Sequence, residues 1–343
     1  MTERATNIRK PRTDGIVLWD LMLGAFNYNA VSVAHNLRLF DLLRGGPRTL
    51  SEICDAVGIE RRAARAILTT CVAAGLLAVE EERYSLTAVA EDYLLETSPA
   101  YFGGFLDMLI GNDALMTFDS LKRAVLTNKS QVYGGDELFE SHEAQAQLAR
   151  AFTLGMHGHS AGASFHWPRL IDLSGRLTML DVGGGSGAHS IGAAMAWPDL
   201  QAIVLEMPPV CPVAEEFAAK YYLQDRIKAH PADMWADEFP PADIHFYADI
   251  FHDWAPDKCR FLMKKSFDSL PAGGRLLLHE MLFDDEKTGP AQAAAYNVAM
   301  LLWTEGQQYS GRELRAMMAE AGFTDIEIKP AYGYWSLVSG RKP

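Results

Sequence analysis

The stretch "LDVGGGSGAHS", residues 180–190, sets four glycines and one carboxylate at the end of a short apolar run that starts at Leu177. The run reads as a strand, and open α/β sheets bind ligands at the carboxyl ends of their strands. A phosphate-binding loop needs a Lys-Ser/Thr pair after its glycines, but Ala188 and His189 follow Gly187. A dinucleotide fingerprint fits loosely through Gly183, Gly185 and Ala188, with Glu206 near the ribose position. Asp181 decides against it, because a carboxylate there would repel a pyrophosphate on the next helix N-terminus.

A cationic nucleotide reverses the sign. S-adenosylmethionine (SAM) carries an ammonium and a sulfonium and no phosphate, so Asp181 attracts its amino-acid end. Gly183, Gly184, Gly185 and Gly187 let the backbone approach the ligand closely. Glu206, closing the second strand with Met207 after it, can accept from both ribose hydroxyls. Asp233 follows a third strand and can accept from the adenine amino group, with Met234 packed on the ring. These residues form the expected SAM site.

The chain has 343 residues, enough for two domains. Acidic residues outnumber basic ones 44 to 31, a net charge of −13. That balance argues against a nucleic-acid partner, which needs a concentrated positive face. Cys54, Cys71, Cys211 and Cys259 show no CxxC pairing and read as reduced thiols of a cytoplasmic protein. The polar N-terminus has no apolar core of a signal peptide. The apolar stretch Ile16–Phe26 contains Asp20 and is too short to span a bilayer, so no membrane association is expected.

The first hundred residues read as helices with a small ribbon. Thr49 and Glu52 have capping-box spacing, Gly58 closes a short helix, and Ala78–Leu86 suggests two strands. Helix, turn, helix and ribbon describe a winged-helix-like unit. Residues 101–170 are mostly helical, with a loop at Tyr133-Gly134-Gly135. From Leu177 short apolar runs alternate with helical stretches, the pattern of a mostly parallel sheet covered on both faces. The expected architecture is α/β: a Rossmann-like sheet with helices on both faces over 171–343. A helical linker at 106–170 and a winged-helix-like dimerisation domain at 1–105 precede it. The apolar residues Ile16, Leu18, Trp19, Leu21, Met22 and Leu23 place the main homodimer interface within about 15–105.

At this point the chain resembles the plant-type small-molecule O-methyltransferases, the caffeic acid O-methyltransferase family with its bacterial relatives. The matching stretches are LDVGGGSG, IVLEMPPV, ADMWADEFP, FHDWAPDKC, LPAGGRLLLHE and EGQQYSGREL, in order over most of 177–320. The resemblance implies a SAM-dependent methyltransferase with a small-molecule acceptor, working as a homodimer in secondary metabolism. It makes His252 the catalytic base, with Asp253 directly after it and Glu280 as a supporting acid. A second acid normally stands in a later segment, where this chain has Gln308.

Methyl transfer is an in-line displacement that needs alignment and removal of the acceptor's proton. His252 suits the second task, with Glu280 holding the imidazole as the acid of a catalytic triad does. Strand alternation turns His279 to the opposite face from Glu280. His157, His159, Met156, Tyr296, Asn297 and Trp303 are candidate walls of the acceptor pocket. Two other readings remain at this level. Gln308 removes a negative charge, so a 2-oxo acid could be methylated on carbon through its enolate, with a divalent metal on His252 and Glu280. Arg61, Arg62 and Arg65 open a candidate recognition helix, the feature of a winged-helix regulator.

Overall fold

In the computed structural model, which describes residues 11–131 and 143–343, the chain divides between Glu96 and Thr97. The boundary expected near 105 falls inside a helix, Gly103–Gly111. The loop expected at Tyr133-Gly134-Gly135 lies outside the described residues.

The first unit holds α1 (Ile16–Asn36), α2 (Leu39–Leu43), β1 (Arg48–Thr49), α3 (Leu50–Val57), α4 (Arg61–Ala73), β2 (Leu77–Glu80), β3 (Arg83–Leu86) and α5 (Ala88–Leu94). The Thr49 hydroxyl accepts from the Glu52 amide at 3.3 Å, and Glu52 Oε2 accepts from the Thr49 amide at 2.6 Å. That capping box starts α3, and Gly58 ends it at φ 75°. The expected ribbon is the β2–β3 hairpin, and β1 adds a third strand beside β3. Helix α1 runs ten residues beyond the apolar stretch Ile16–Phe26, because Asn27, Asn29 and Ser32 cost a helix only tenths of a kcal/mol each. At 21 residues it is, by length and composition, the one helix among the described residues able to cross a membrane. Its residues Ile16, Leu18, Leu21 and Phe26 are 60–72% exposed.

The second unit opens with α6 (Gly103–Gly111), α7 (Phe118–Thr127) and α8 (Glu143–Ser164). Then β4 (Thr178–Val182), α9 (Ala188–Ala196), β5 (Gln201–Glu206), α10 (Cys211–Lys220) and β6 (Ile227–Pro231) follow. After them come β7 (Ile244–Ala248), α11 (Pro256–Ser269), β8 (Arg275–Met281), α12 (Ala291–Trp303), α13 (Gly311–Ala321), β9 (Thr324–Pro330) and β10 (Trp335–Arg341). The seven strands lie in the order β6-β5-β4-β7-β8-β10-β9. The first five are parallel, and β10 runs antiparallel to both β8 and β9.

Alternation along the strands sorts two cores. Leu180, Val182, Leu205, Tyr247, Leu278 and Val338 pack with Leu262 and Met263 of α11 and Leu314 and Met318 of α13. Met179, Val204, Phe246, Leu277 and Leu337 pack with Ile191 of α9 and Val213 and Phe217 of α10. Helices therefore cover both faces, and the carboxyl ends of β4 to β8 share one edge.

Candidate functional site

The glycine corner joins β4 to α9. Gly183, Gly185 and Gly187 have φ of 66°, 55° and 72°, a region costly for other residues. A Cβ on Gly184 would stand 2.6 Å from Asp181 Cγ, so the backbone passes directly over the carboxylate. Asp181 is 1% exposed and accepts a 2.7 Å bond from Ser190 Oγ in the first turn of α9. Burial pushes its carboxyl up to about 7, the Ser190 bond opposes this, and the Glu206 charge adds to the rise.

Glu206 closes β5 and ties the corner to it. Its Oε1 accepts from the Gly185 amide at 3.1 Å and its Oε2 from the Met207 amide at 2.8 Å. Burial raises its pKa in spite of both bonds. A carboxylate has about four acceptor positions, so two backbone bonds leave room for ribose hydroxyls. Beyond β6, Asp233 Oδ1 accepts from the Trp235 amide at 2.8 Å, and Lys265 Nζ donates to the Met234 carbonyl at 2.7 Å. The structure thus places Asp181, Glu206 and Asp233 at three neighbouring strand ends, and each residue type suits a part of SAM.

His252 sits in a 3₁₀ turn, Phe251–Asp253, directly after β7. Its Nδ1 lies 2.8 Å from Glu280 Oε2. Glu280 Oε1 accepts from the amides of Ile250 (3.1 Å) and Phe251 (2.8 Å), which fixes the carboxylate. Burial works against the His252 imidazolium. Glu280, by charge and hydrogen bond, then Asp253 and Asp249 outweigh that and push it up to about 10. Asp253 Oδ1 stands 3.6 Å from Nε2, and burial raises the Asp253 carboxyl. The Tyr296 ring meets the imidazole edge-on at 5.4 Å. Gln308 is 1% exposed and neither polar atom of its side chain has a hydrogen-bond partner. Its backbone amide donates to Asn297 Oδ1 at 2.8 Å.

His279 faces away from Glu280 and stacks parallel to Trp335 at 6.5 Å. His157 Nδ1 lies 2.8 Å from Ser186 Oγ, and its ring stacks on Phe217 at 3.7 Å, against the glycine corner. Trp303 packs with Ala124 and Leu302 in a separate small core, while Met156 is half-buried.

Three residues escaped the sequence reading. Ser190 and Lys265 secure Asp181 and Met234; a hydroxyl one helical turn past the glycines was the available signal for the first. Asp249 follows β7 with a left-handed φ of 54°. Trp335 Nε1 donates to its Oδ1 at 2.7 Å, and His159 Nδ1 stands 3.6 Å from its Oδ2. Burial would raise its carboxyl, but His159, His252 and His279 together hold it below the usual range.

Two buried groups bring ligand atoms within 4.8 Å of one another: His189, Asp249 and His279, and Asp249, His252 and Glu280. In each group one ligand atom is already hydrogen-bonded. Trp167 Nε1 donates to His189 Nδ1 at 3.1 Å, which leaves the neutral ring's proton on Nε2. His252 and Glu280 are engaged with each other.

Comparison with known proteins agrees with this geometry. Residues 118–324 match the O-methyltransferase domain, and residues 19–96 the O-methyltransferase dimerisation domain. A 3-hydroxy-5-methyl-1-naphthoate 3-O-methyltransferase of Streptomyces sahachiroi is 32% identical over 314 residues, 90% of either chain. An L-tyrosine C(3)-methyltransferase of Streptomyces lavendulae is 32% identical over 311 residues, 88% of this chain and 85% of that one. The crystal structure of human N-acetylserotonin methyltransferase in complex with SAM matches with a TM-score of 0.83 at 26% identity, over 97% of this chain and 99% of the other.

Proposed function

The chain belongs to the O-methyltransferase family, and we propose that His252 is the base that frees an acceptor's hydroxyl oxygen for methylation. It is a SAM-dependent methyltransferase of small molecules, and its N-terminal region is the family's dimerisation domain. When bound, SAM supplies a methyl group on a sulfonium leaving group. Asp181 holds its cationic amino-acid end, Glu206 the ribose hydroxyls, and Asp233 with Met234 the adenine.

The observation that carries the base assignment is the 2.8 Å contact between His252 Nδ1 and Glu280 Oε2 at the edge that also bears Asp181. With Nδ1–H donating to Glu280, the lone pair of the neutral ring lies on Nε2. With its pKa pushed up to about 10, the ring carries a second proton before SAM binds. A sulfonium placed beside it lowers that value, since like charges disfavour each other. The ring then takes the hydroxyl proton on Nε2, and Glu280 stabilises the imidazolium that results.

The acceptor we infer is an aromatic hydroxyl compound. The two Streptomyces relatives are named for the 3-O position of a hydroxynaphthoate and for C(3) of L-tyrosine, and both substrates carry an aromatic hydroxyl. Removing the proton of an aromatic hydroxyl makes such an acceptor a nucleophile. The enolate reading needs a metal on His252 and Glu280, whose donors already engage each other, and we set it aside. The acidic charge balance stands against nucleic acid, the exposed apolar face of α1 is assigned to a partner copy rather than lipid, and four free cysteines suit the cytoplasm. Calorimetry with S-adenosylhomocysteine (SAH) tests the site. Saturable binding at micromolar ligand is expected, and no heat at millimolar ligand would contradict it.

A further inference from the structure

Asp249 lies three residues before the base, and the family resemblance gives it no part in the reaction. We infer that Asp249 is a positioning residue for His252, the second supporting carboxylate of this chain in place of the acid that is Gln308 here. The inference rests on His252 being the base.

Its geometry is the first support. Asp249 Oδ1 is 3.9 Å from His252 Nδ1, the nitrogen that Glu280 also approaches. A non-glycine residue at φ 54° is strained, and such strain persists where the surroundings impose it, often at functional sites. Here the Trp335 indole bond fixes the side chain, and the Asp249 amide donates to the His279 carbonyl at 3.1 Å. The Asp249 side chain is 4% exposed. The titratable groups around it are His159 on α8, His189 on α9, His279 and Glu280 on β8, His252 and Asp253 in the turn, and Tyr296 on α12.

Gln308 is the second support. The segment carrying it runs along the catalytic turn. A Cβ on Gly306 would meet the His252 carbonyl oxygen at 2.2 Å, and Tyr309 Oη donates to the Trp254 carbonyl at 2.7 Å. From that side a neutral amide replaces the acid, and the end of β7 brings a carboxylate from another. During transfer the hydroxyl proton passes to Nε2 and the ring gains one positive charge. Glu280 and Asp249, both buried and fixed beforehand, stabilise that charge where water cannot screen it.

Asp249→Asn isolates the charge, because asparagine keeps an oxygen for Trp335 and tolerates left-handed backbone. The assay is transfer of labelled methyl from SAM to whichever of a set of mono- and bicyclic phenols the wild type accepts. Expected is a kcat lower by roughly 100-fold, with KM and SAH affinity unchanged to within about twofold. The acid limb of the kcat profile moves to lower pH, since the imidazolium has lost an anion. Adding Gln308→Glu to this variant should restore roughly tenfold in kcat or more. An Asp249→Asn enzyme of wild-type kcat would overturn the inference. So would a kcat that falls together with SAH affinity and melting temperature, or a double variant no faster than the single. A fully active His252→Gln enzyme would instead overturn the base assignment on which the inference rests.

Discussion

Asp181→Asn should remove most of the pH dependence of SAH binding. In the folded chain this carboxyl is buried against Ser190 and Glu206, and burial pushes it up to about 7. A carboxyl raised above its ordinary range favours the folded state while protonated. That contribution is whole below about pH 4 and is lost as pH rises through about 7. In the proposed site ligand binding follows the opposite sign, because there the ionised carboxylate holds the ammonium of SAH. At pH 5.5 a group of pKa about 7 is only ~3% ionised, so affinity should be roughly 30-fold weaker there than at about pH 8. The Asn variant should bind more weakly at pH 8 and keep a much flatter profile. Glu206, whose carboxyl burial also raises, contributes some slope, but it is present in both proteins, so their difference isolates Asp181. Calorimetric titration across this range reads the effect. A wild-type affinity constant to within about twofold, or the same slope in both proteins, would refute the reasoning.

Two further outcomes test the packing. A Cβ on Gly192 of α9 would lie 2.0 Å from the Ser164 carbonyl oxygen of α8, a backbone atom that cannot step aside. Gly192→Ala should therefore cost about 3 kcal/mol, lowering the melting temperature by roughly 6–12 °C; a scan within about 2 °C of wild type would contradict this. Leu18 and Leu21 are each 72% exposed on α1. The wild type should scatter light as a dimer, and Leu18→Asp with Leu21→Asp should scatter as a monomer with retained SAH binding; an unchanged dimer would place the interface elsewhere.

Local chemistry was readable where one stretch contains both the residue and its reason. The buried run of β4, the glycines after it and the acid closing β5 needed no distant partner. Strand alternation sufficed to separate His279 from Glu280. The capping box at Thr49 was likewise legible from its spacing. Long-range pairing was not. Nothing near Asp249 announces an indole 86 residues away, nor a left-handed backbone at an aspartate. The last two strands were visible as apolar runs, but their order was not, because a strand's own pattern does not name its neighbour. Strand β1 has two residues, too few to show a period. Pairing of the two catalytic candidates is a related case: the resemblance singled out His252 and Glu280, and only geometry showed the hydrogen bond between them.

The central claim is that His252 removes the acceptor's proton within a preformed SAM site. The most direct measurement compares wild type and His252→Gln for transfer of labelled methyl from SAM to the accepted phenol, with SAH affinity measured on both. The account predicts label on the phenol oxygen, a turnover lower by roughly 10²–10⁴-fold in the variant, and equal SAH affinity. A variant that methylates at the wild-type rate, or wild-type label on nitrogen, would contradict it.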